Sequence, residues 1–328
     1  MIEEVYKKIF RIEVTLPDSP LKTLNAYLIK GNNGDYLIDT GYRVKECVQC
    51  LDSSLDELKC DRERLNVILT HMHSDHSGLV DVVCGKNGHV YLSETDHAYG
   101  KKYIDGILRK LTIERMLESG IRECEILSDD SQEAQAGDFF DSRFVDLCDG
   151  DKINTGEYIL QAIHTPGHTP GHMTYYIEDR KIMFTGDNVL YTITPNITVF
   201  PFVKDSLKDY LNTLERLKNI DVDYAFPAHR NINGDYYSRI SELIHHHKKR
   251  FSEVYRIVLH CPGITPYDIA SQMKWNIRHN DWSDFPITQK WFALGECNAH
   301  LDYLQGRGCI GFEIKDGIRR YSVTGPLY

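Results

Sequence analysis

Thr70-His71-Met72-His73-Ser74-Asp75-His76-Ser77-Gly78 follows the short apolar run Val67-Ile68-Leu69, and the reading of this stretch decides the rest. Three imidazoles and a carboxylate fall within six residues. Such a string is wasteful on a surface and costly in a core, because a buried polar or ionised group needs a partner. Metal binding removes both objections. If the strand-to-loop junction stays extended, His71 and His73 project to one side, and Asp75 and His76 follow as the chain turns into a helix. One loop can then serve two neighbouring ions.

Three more acid or imidazole residues each stand just after a short apolar run. They are His168 in His164-Thr165-Pro166-Gly167-His168-Thr169-Pro170-Gly171-His172, Asp187 in Phe184-Thr185-Gly186-Asp187, and His229 in Phe226-Pro227-Ala228-His229. The combination of HxHxDH, Thr-Pro-Gly-His, Phe-Thr-Gly-Asp and Pro-x-His resembles the metallo-β-lactamase-fold hydrolases, above all their glyoxalase II and general metallohydrolase branch. Matching motifs run from Asn25-Ala26-Tyr27-Leu28 to His229, about two thirds of the chain.

The resemblance implies an α/β fold, the αββα sandwich of that family. It implies that His71, His73 and His168 hold one metal, that Asp75, His76 and His229 hold a second, and that Asp187 bridges both. Asp39, in Leu37-Ile38-Asp39-Thr40-Gly41, would orient the ligands from behind, and Asp75 would also handle the proton of the attacking water. Five imidazoles and two carboxylates without a thiolate suit Zn²⁺ and would accept Fe or Mn. Two such ions about 3.5–4 Å apart bring a bridging water towards hydroxide at neutral pH and polarise the bond under attack. The expected activity is hydrolysis of a small ester-like molecule, a thioester first. Phosphodiester or RNA cleavage and lactone hydrolysis are alternatives on the same site, and metal-dependent ligand sensing is the alternative that is not an enzyme.

Residues around these motifs carry weaker expectations. His164 and His172 flank His168 and read as polar neighbours of the ligands. Tyr191 and Thr194 lie in the loop after Asp187 and could donate a hydrogen bond to a developing oxyanion. Arg230 follows His229 and could meet an anionic substrate or a surface acid.

Composition agrees with this chemistry. With 328 residues, 41% hydrophobic and 26% charged, the chain is that of a globular protein with room for one large and one small unit. A net charge of −10 disfavours nucleic acid, whose affinity comes from excess Lys and Arg, and favours a small-molecule substrate. The first residues are acidic where a signal peptide is basic then apolar, and no run reaches the roughly 18 apolar residues of a membrane span. A cytoplasmic protein without membrane contact is expected. The nine cysteines, an odd number, read as reduced thiols, with Cys47 and Cys50 on a helix.

Short β-branched runs (Ile9 to Leu16, Asn25 to Ile29, Tyr36 to Ile38, Val67 to Thr70, His89 to Leu92) predict an opening meander, with a hairpin turn at Gly31-Asn32-Asn33-Gly34. Residues 94–142 predict a helical insertion, scaffold or lid, ending in the acidic stretch 129–138. Strands return at Tyr158 to His164, Met173 to Ile177, Lys181 to Phe184 and Tyr224 to Phe226, with helices at about Ser206 to Asn219 and Asp235 to Leu259. In the second of these helices His245-His246-His247-Lys248-Lys249-Arg250 reads as a solvated face, because adjacent histidines point about 100° apart.

A division into residues 1–250 and 251–328 is expected. Thr265-Pro266-Tyr267-Asp268 starts one helix, Thr288 to Gln305 form a longer one, and Ile310 to Val323 fold back around Asp316-Gly317. Two helices and a hairpin make a winged-helix-like layout. Its eight basic and eight acidic residues lack the excess of a DNA reader, so packing, pocket-building or a homodimer contact is the expected role.

Overall fold

Alternation of side chains along the first strands builds a sheet with two apolar faces. The computed structural model describes residues 1–126, 137–276 and 281–327, so most of the stretch 129–138 lies outside the described residues. Seven strands form the first sheet in sequence order: β1 (Ile2–Tyr6), β2 (Ile9–Thr15), β3 (Thr23–Ile29), β4 (Tyr36–Ile38), β5 (Asn66–Ile68), β6 (Val90–Ser93) and β7 (Phe144–Leu147). The meander is antiparallel through β4, and β4 to β7 run parallel. A second sheet has the order β12-β11-β10-β9-β8, from β8 (Lys152–Asn154), β9 (Ile159–His164), β10 (Met173–Ile177), β11 (Ile182–Gly186) and β12 (Tyr224–Pro227).

The two sheets close over a shared core in which Tyr27, Ile38 and Ile68 of the first meet Tyr175, Phe184 and Phe226 of the second. On the outer face of the first sheet, Cys47, Leu51 and Leu55 of α1 (Lys45–Glu57) and Val80 and Val83 of α3 (Val80–Val83) are buried; α2 (Ser74–Ser77) is a single turn just before α3. The second sheet is covered by α6 (Ser206–Leu217) and α7 (Tyr236–His260). Leu207, Tyr210, Leu214 and Leu217 recur at helical spacing and bury one face of α6, and Asp205 caps it by accepting the Lys208 N–H (2.9 Å). Helix, sheet, sheet and helix are thus stacked as expected.

The described part of the insertion contains α4 (Glu94–Ile104), α5 (Ile107–Glu118) and a short turn of 3-10 helix at Glu123–Glu125. The C-terminal part supplies α8 (Pro266–Gln272), α9 (Ile287–Gly306) and the hairpin β13 (Ile310–Lys315) and β14 (Ile318–Val323), in the expected order. Helix α7 runs without a break through the expected boundary at 250. Met116 and Ile121 share one apolar cluster with Val254, Val258, Ile269, Leu294, Leu301 and Tyr321. Ion pairs join the same pieces: Arg115 with Asp302 (2.8 Å), buried Lys290 with Glu125 (2.9 Å), and Arg319 with Glu118 (2.6 Å). The insertion is therefore clamped to the C-terminal helices.

The basic run on α7 is a correction to the sequence reading. His245, Lys248 and Lys249 are exposed, but His247 and Arg250 are buried. His247 lies beneath α9, where its Nδ1 is 3.3 Å from His300 Nε2, and Arg250 pairs with Glu296 (3.2 Å). The missing element was α9, which covers one stripe of a helix that would otherwise face water.

Candidate active site

Asp39, the loop 71–76, His168, Asp187 and His229 follow the C-terminal ends of β4, β5, β9, β11 and β12. Within each sheet these strands point the same way, so topology alone delivers the residues to one end of the sandwich. The two sheets are joined there by the Met173 N–H donating to the Thr70 carbonyl (2.8 Å) and the Tyr175 hydroxyl donating to the Leu69 carbonyl (2.7 Å).

Asp39 is buried in the left-handed region (φ 60°), which Asp tolerates better than most residues. Its Oδ1 accepts the Thr70 N–H (2.8 Å), and its Oδ2 accepts the Thr70 hydroxyl (2.8 Å) and His76 Nδ1–H (2.8 Å). Because the Thr70 proton is committed to Asp39, the Thr70 oxygen accepts from His71 Nδ1 (3.0 Å). His168 Nδ1 donates to the Asn196 carbonyl (2.9 Å) and His229 Nδ1 to the Thr23 carbonyl (2.8 Å). Four rings thus have Nδ1 tied outward and Nε2 turned inward, the orientation a metal ligand needs. His73 is the exception. Its Nδ1 lies 3.0 Å from both His71 Nε2 and His168 Nε2.

Among the described residues three overlapping groups are placed so that they could hold a metal ion: His71, His73 and His168; Asp75, His76 and His229; and His71, His76 and Asp187. Asp187 stands between the first two. Its Oδ2 is 3.5 Å from His168 Nε2, and its Oδ1 is 3.4 Å from His229 Nε2 and 3.7 Å from His76 Nε2. Asp75 Oδ2 completes the second group, 3.3 Å from His229 Nε2 and 3.6 Å from His76 Nε2.

Electrostatics reports the same thing. Burial pulls the His73 pKa down to about 3, with His168 adding to the effect, and holds His71 far below the usual imidazole range, so both rings are neutral. Burial also lowers His76, but Asp39, Asp75 and Asp187 overcome it and raise His76 to about 10. Burial would raise Asp75, yet His76 and His229 hold its carboxyl well below the usual range. A cage that draws a proton so strongly will draw a divalent cation in its place. Among the described residues His76 Nε2, His229 Nε2 and Asp187 Oδ1 are buried without a hydrogen-bond partner, a cost that metal ligation removes. The residues present therefore fit divalent metal ions.

Neighbouring residues sort themselves by their partners. His172, fully buried, accepts the Asp187 N–H at its Nε2 (3.1 Å) and so braces that residue, whereas His164 turns to the Pro170 carbonyl (3.0 Å). Tyr191 packs so tightly over Gly234 that a Cβ there would lie 2.2 Å from its ring, and Thr194 is exposed. Neither has a hydrogen bond to a ligand residue among the described residues. The Arg230 guanidinium donates to the Pro20 carbonyl, so it meets a backbone oxygen and not a surface acid.

Asp96 was missed by the sequence reading. Fully buried, it accepts the Gly171 N–H (2.6 Å), the Met72 N–H (3.0 Å) and the Thr169 hydroxyl (2.7 Å). Its one sequence signal is Ser93, three residues earlier, whose hydroxyl accepts the Asp96 N–H as a helix cap (3.0 Å). Phe200 was also missed; its ring stacks on His73 with centroids 6.5 Å apart and planes at 21°.

A family model described as the metallo-beta-lactamase superfamily matches residues 22–229. The chain belongs to the metallo-beta-lactamase superfamily. This superfamily protein is 26% identical over 291 residues to the beta-lactamase-like protein 2 homolog of Caenorhabditis elegans, covering 88% of this chain and 81% of that one. It is 22% identical over 314 residues to an atrochrysone carboxyl ACP thioesterase of Aspergillus terreus, covering 94% of this chain and 82% of that one. Some fungal lactamase-like relatives are longer, and this chain spans 61% of one from Emericella nidulans. A metallo-beta-lactamase family protein from Thermus thermophilus superposes with a TM-score of 0.82 at 25% identity, over 97% of this chain and 99% of that one. The superfamily is one of metal-dependent hydrolases, and the His/Asp groups of this chain are placed where they could hold divalent metal ions. No helix among the described residues is long and apolar enough to cross a membrane.

Proposed function

We propose that this protein is a dinuclear-metal hydrolase of a small thioester, with His71, His73 and His168 holding one ion, Asp75, His76 and His229 the other, and Asp187 shared. Zinc is the first metal to test, since five imidazoles and two carboxylates make a borderline-hard donor set. The observation that carries the reading is the Asp187 carboxylate, with one oxygen 3.5 Å from His168 Nε2 and the other 3.4 Å from His229 Nε2. When bound, the ions supply a water made acidic enough to attack at neutral pH and a Lewis acid for the oxygen under attack.

The chain's own residues do the rest. Asp39 fixes the tautomer of His76 directly and that of His71 through Thr70. Asp75, held ionised by His76 and His229, accepts a proton from the attacking water and hands it on as the product leaves. The thioester is favoured because the Aspergillus terreus relative is named as an acyl-carrier thioesterase. A small-molecule substrate is favoured by the net charge of −10.

The test is hydrolysis of an acyl thioester and of a bis-aryl phosphodiester by metal-loaded protein, each with a chelated control and an Asp187→Ala control. Chelator-sensitive thioester cleavage is expected. Phosphodiester cleavage alone would replace the thioester reading. Full metal loading with no turnover of either would point to ligand sensing.

A further inference from the structure

Between α5, residues 199–203, α9 and β14 lies a cleft of about 310 Å³. It adjoins the first ligand group through a single side chain, because Phe200 both lines it and stacks on His73. Leu111, Val199, Phe200, Phe202 and Val203 give it an apolar wall, and Arg115, Arg319 and Asp302 a polar end. Each guanidinium there is held by a carboxylate, Arg115 by Asp302 (2.8 Å) and Arg319 by Glu118 (2.6 Å), while Arg115 Nη1 has no hydrogen-bond partner among the described residues. An anion entering would have to compete with those carboxylates, whereas a neutral hydrocarbon arm would not.

Phe202 marks the rim. It is 71% exposed, with the Lys102 ammonium 5.1 Å from its ring, and its backbone is left-handed (φ 68°), a strained conformation for a bulky side chain. A hydrocarbon chain entering the cleft would cover this ring and remove its apolar surface from water.

We infer that this cleft receives the acyl arm of the substrate, a neutral hydrocarbon chain, and that the C-terminal helix and hairpin serve the reaction by forming its far wall. The inference rests on the thioester reading and adds the chemistry of the substrate. Thiols that carry acyl groups present amides and charges next to the sulfur, while acyl groups present methylenes, so an apolar wall discriminates between the two halves.

Metal-loaded protein assayed on acetyl, butyryl and octanoyl thioesters of one thiol tests this. Each added methylene is expected to raise kcat/KM about three- to fourfold, following ~0.8 kcal/mol per buried CH₂, until the cleft is full. Leu111→Trp, which fills the cleft, should lower the octanoyl-to-acetyl ratio of kcat/KM at least tenfold. Ile159→Ser, on β9 in a separate part of the molecule, should leave that ratio unchanged.

Calorimetric binding of 1-octanol, a neutral chain with no carboxylate to reach the metals, separates the two readings. If no acyl thioester is turned over, the thioester reading fails, and octanol bound by the wild type but not by a folded Leu111→Trp variant still supports the cleft. An unchanged chain-length ratio in Leu111→Trp, or no octanol binding by the wild type, overturns the cleft.

Discussion

Gly171 donates its backbone N–H across 2.6 Å to the buried carboxylate of Asp96, which also accepts the N–H of Met72 (3.0 Å). Met72 lies between His71 and His73, and Gly171 closes the loop that carries His168, so one carboxylate ties together the two loops that deliver the first ligand group. Gly171 is required for the approach, since a Cβ there would fall 2.3 Å from Ser93 Oγ and 2.4 Å from the Asp96 nitrogen. Asp96→Ala would strand three buried donors and let the loops separate. Its affinity for the first metal is expected to fall about 10- to 100-fold, the usual cost of losing such support. Chelator competition checks this, with Asp96→Asn expected to recover part of the loss because it keeps one acceptor oxygen.

Asp187 answers to both ligand groups, so its removal should be felt by both. Asp187→Ala is expected to bind less than two equivalents of metal and to lose at least 10³-fold in kcat, and Asp187→Asn to fall between it and the wild type. Metal content after dialysis, measured beside activity, is the check. Two tightly held ions with full turnover in Asp187→Ala would refute the shared-carboxylate assignment.

Metal removal is expected to destabilise the fold as well as silence it. Without cations, the carboxylates of Asp39, Asp75 and Asp187 crowd around His76, and His76 Nε2, His229 Nε2 and Asp187 Oδ1 have no hydrogen-bond partner among the described residues. Since metal binds the folded chain in preference to the unfolded one, Tm should fall on chelation and recover in proportion to the logarithm of added Zn²⁺. Thermal melts over a zinc titration test this, and a Tm independent of zinc would contradict it.

The site was legible where its chemistry is contiguous. His71, His73, Asp75 and His76 stand in one short loop, and His168, Asp187 and His229 each follow an apolar run that marks a strand end. Asp96 was not legible because two of its three partners are backbone N–H groups, which no side-chain pattern announces. The strands that escaped notice, β1, β7 and β8, are acidic or only three or four residues long, so alternation has little room to show. The clamp between the insertion and the C-terminal helices depends on pairs such as Lys290 with Glu125, 165 residues apart in sequence. Arg230 shows the same limit, since the sequence offered a substrate or a surface acid as its partner, and the carbonyl that its guanidinium meets, that of Pro20, belongs to a loop over 200 residues away.

Arg230→Ala is therefore expected to act on stability. Loss of a charge-assisted hydrogen bond from a half-buried side chain costs about 1–2 kcal/mol, and the left-handed backbone at this position (φ 65°), which Ala tolerates no better than Arg, returns none of it. Urea unfolding should show that loss, while KM for the thioester stays within about twofold. A KM that rises tenfold with unchanged stability would return Arg230 to the substrate.

The buried pair His247 and His300 gives the fold its own sensitivity to acid, apart from the metal centre. Burial lowers His300 to about 3, and burial with the nearby His300 holds His247 well below the usual imidazole range. His300 Nδ1 donates to the Glu296 carbonyl (2.8 Å), so its Nε2 accepts from His247 Nδ1, and both rings are neutral. The groups that face them are Arg250, His246 and the edge of Tyr210, none of which welcomes a second positive charge. In the unfolded chain both titrate near 6.5. The folded state thus binds fewer protons below that value, and stability is full above pH 6.5 and is lost as the pH falls towards 3. Between pH 7 and pH 5 each histidine should cost about 2 kcal/mol. His300→Gln keeps an acceptor for His247 and cannot titrate, so its unfolding free energy should fall by about 2 kcal/mol less than that of the wild type over the same interval. Urea unfolding at the two pH values, with zinc saturating in both proteins, measures the difference; parallel losses would show that His300 is protonated in the folded chain.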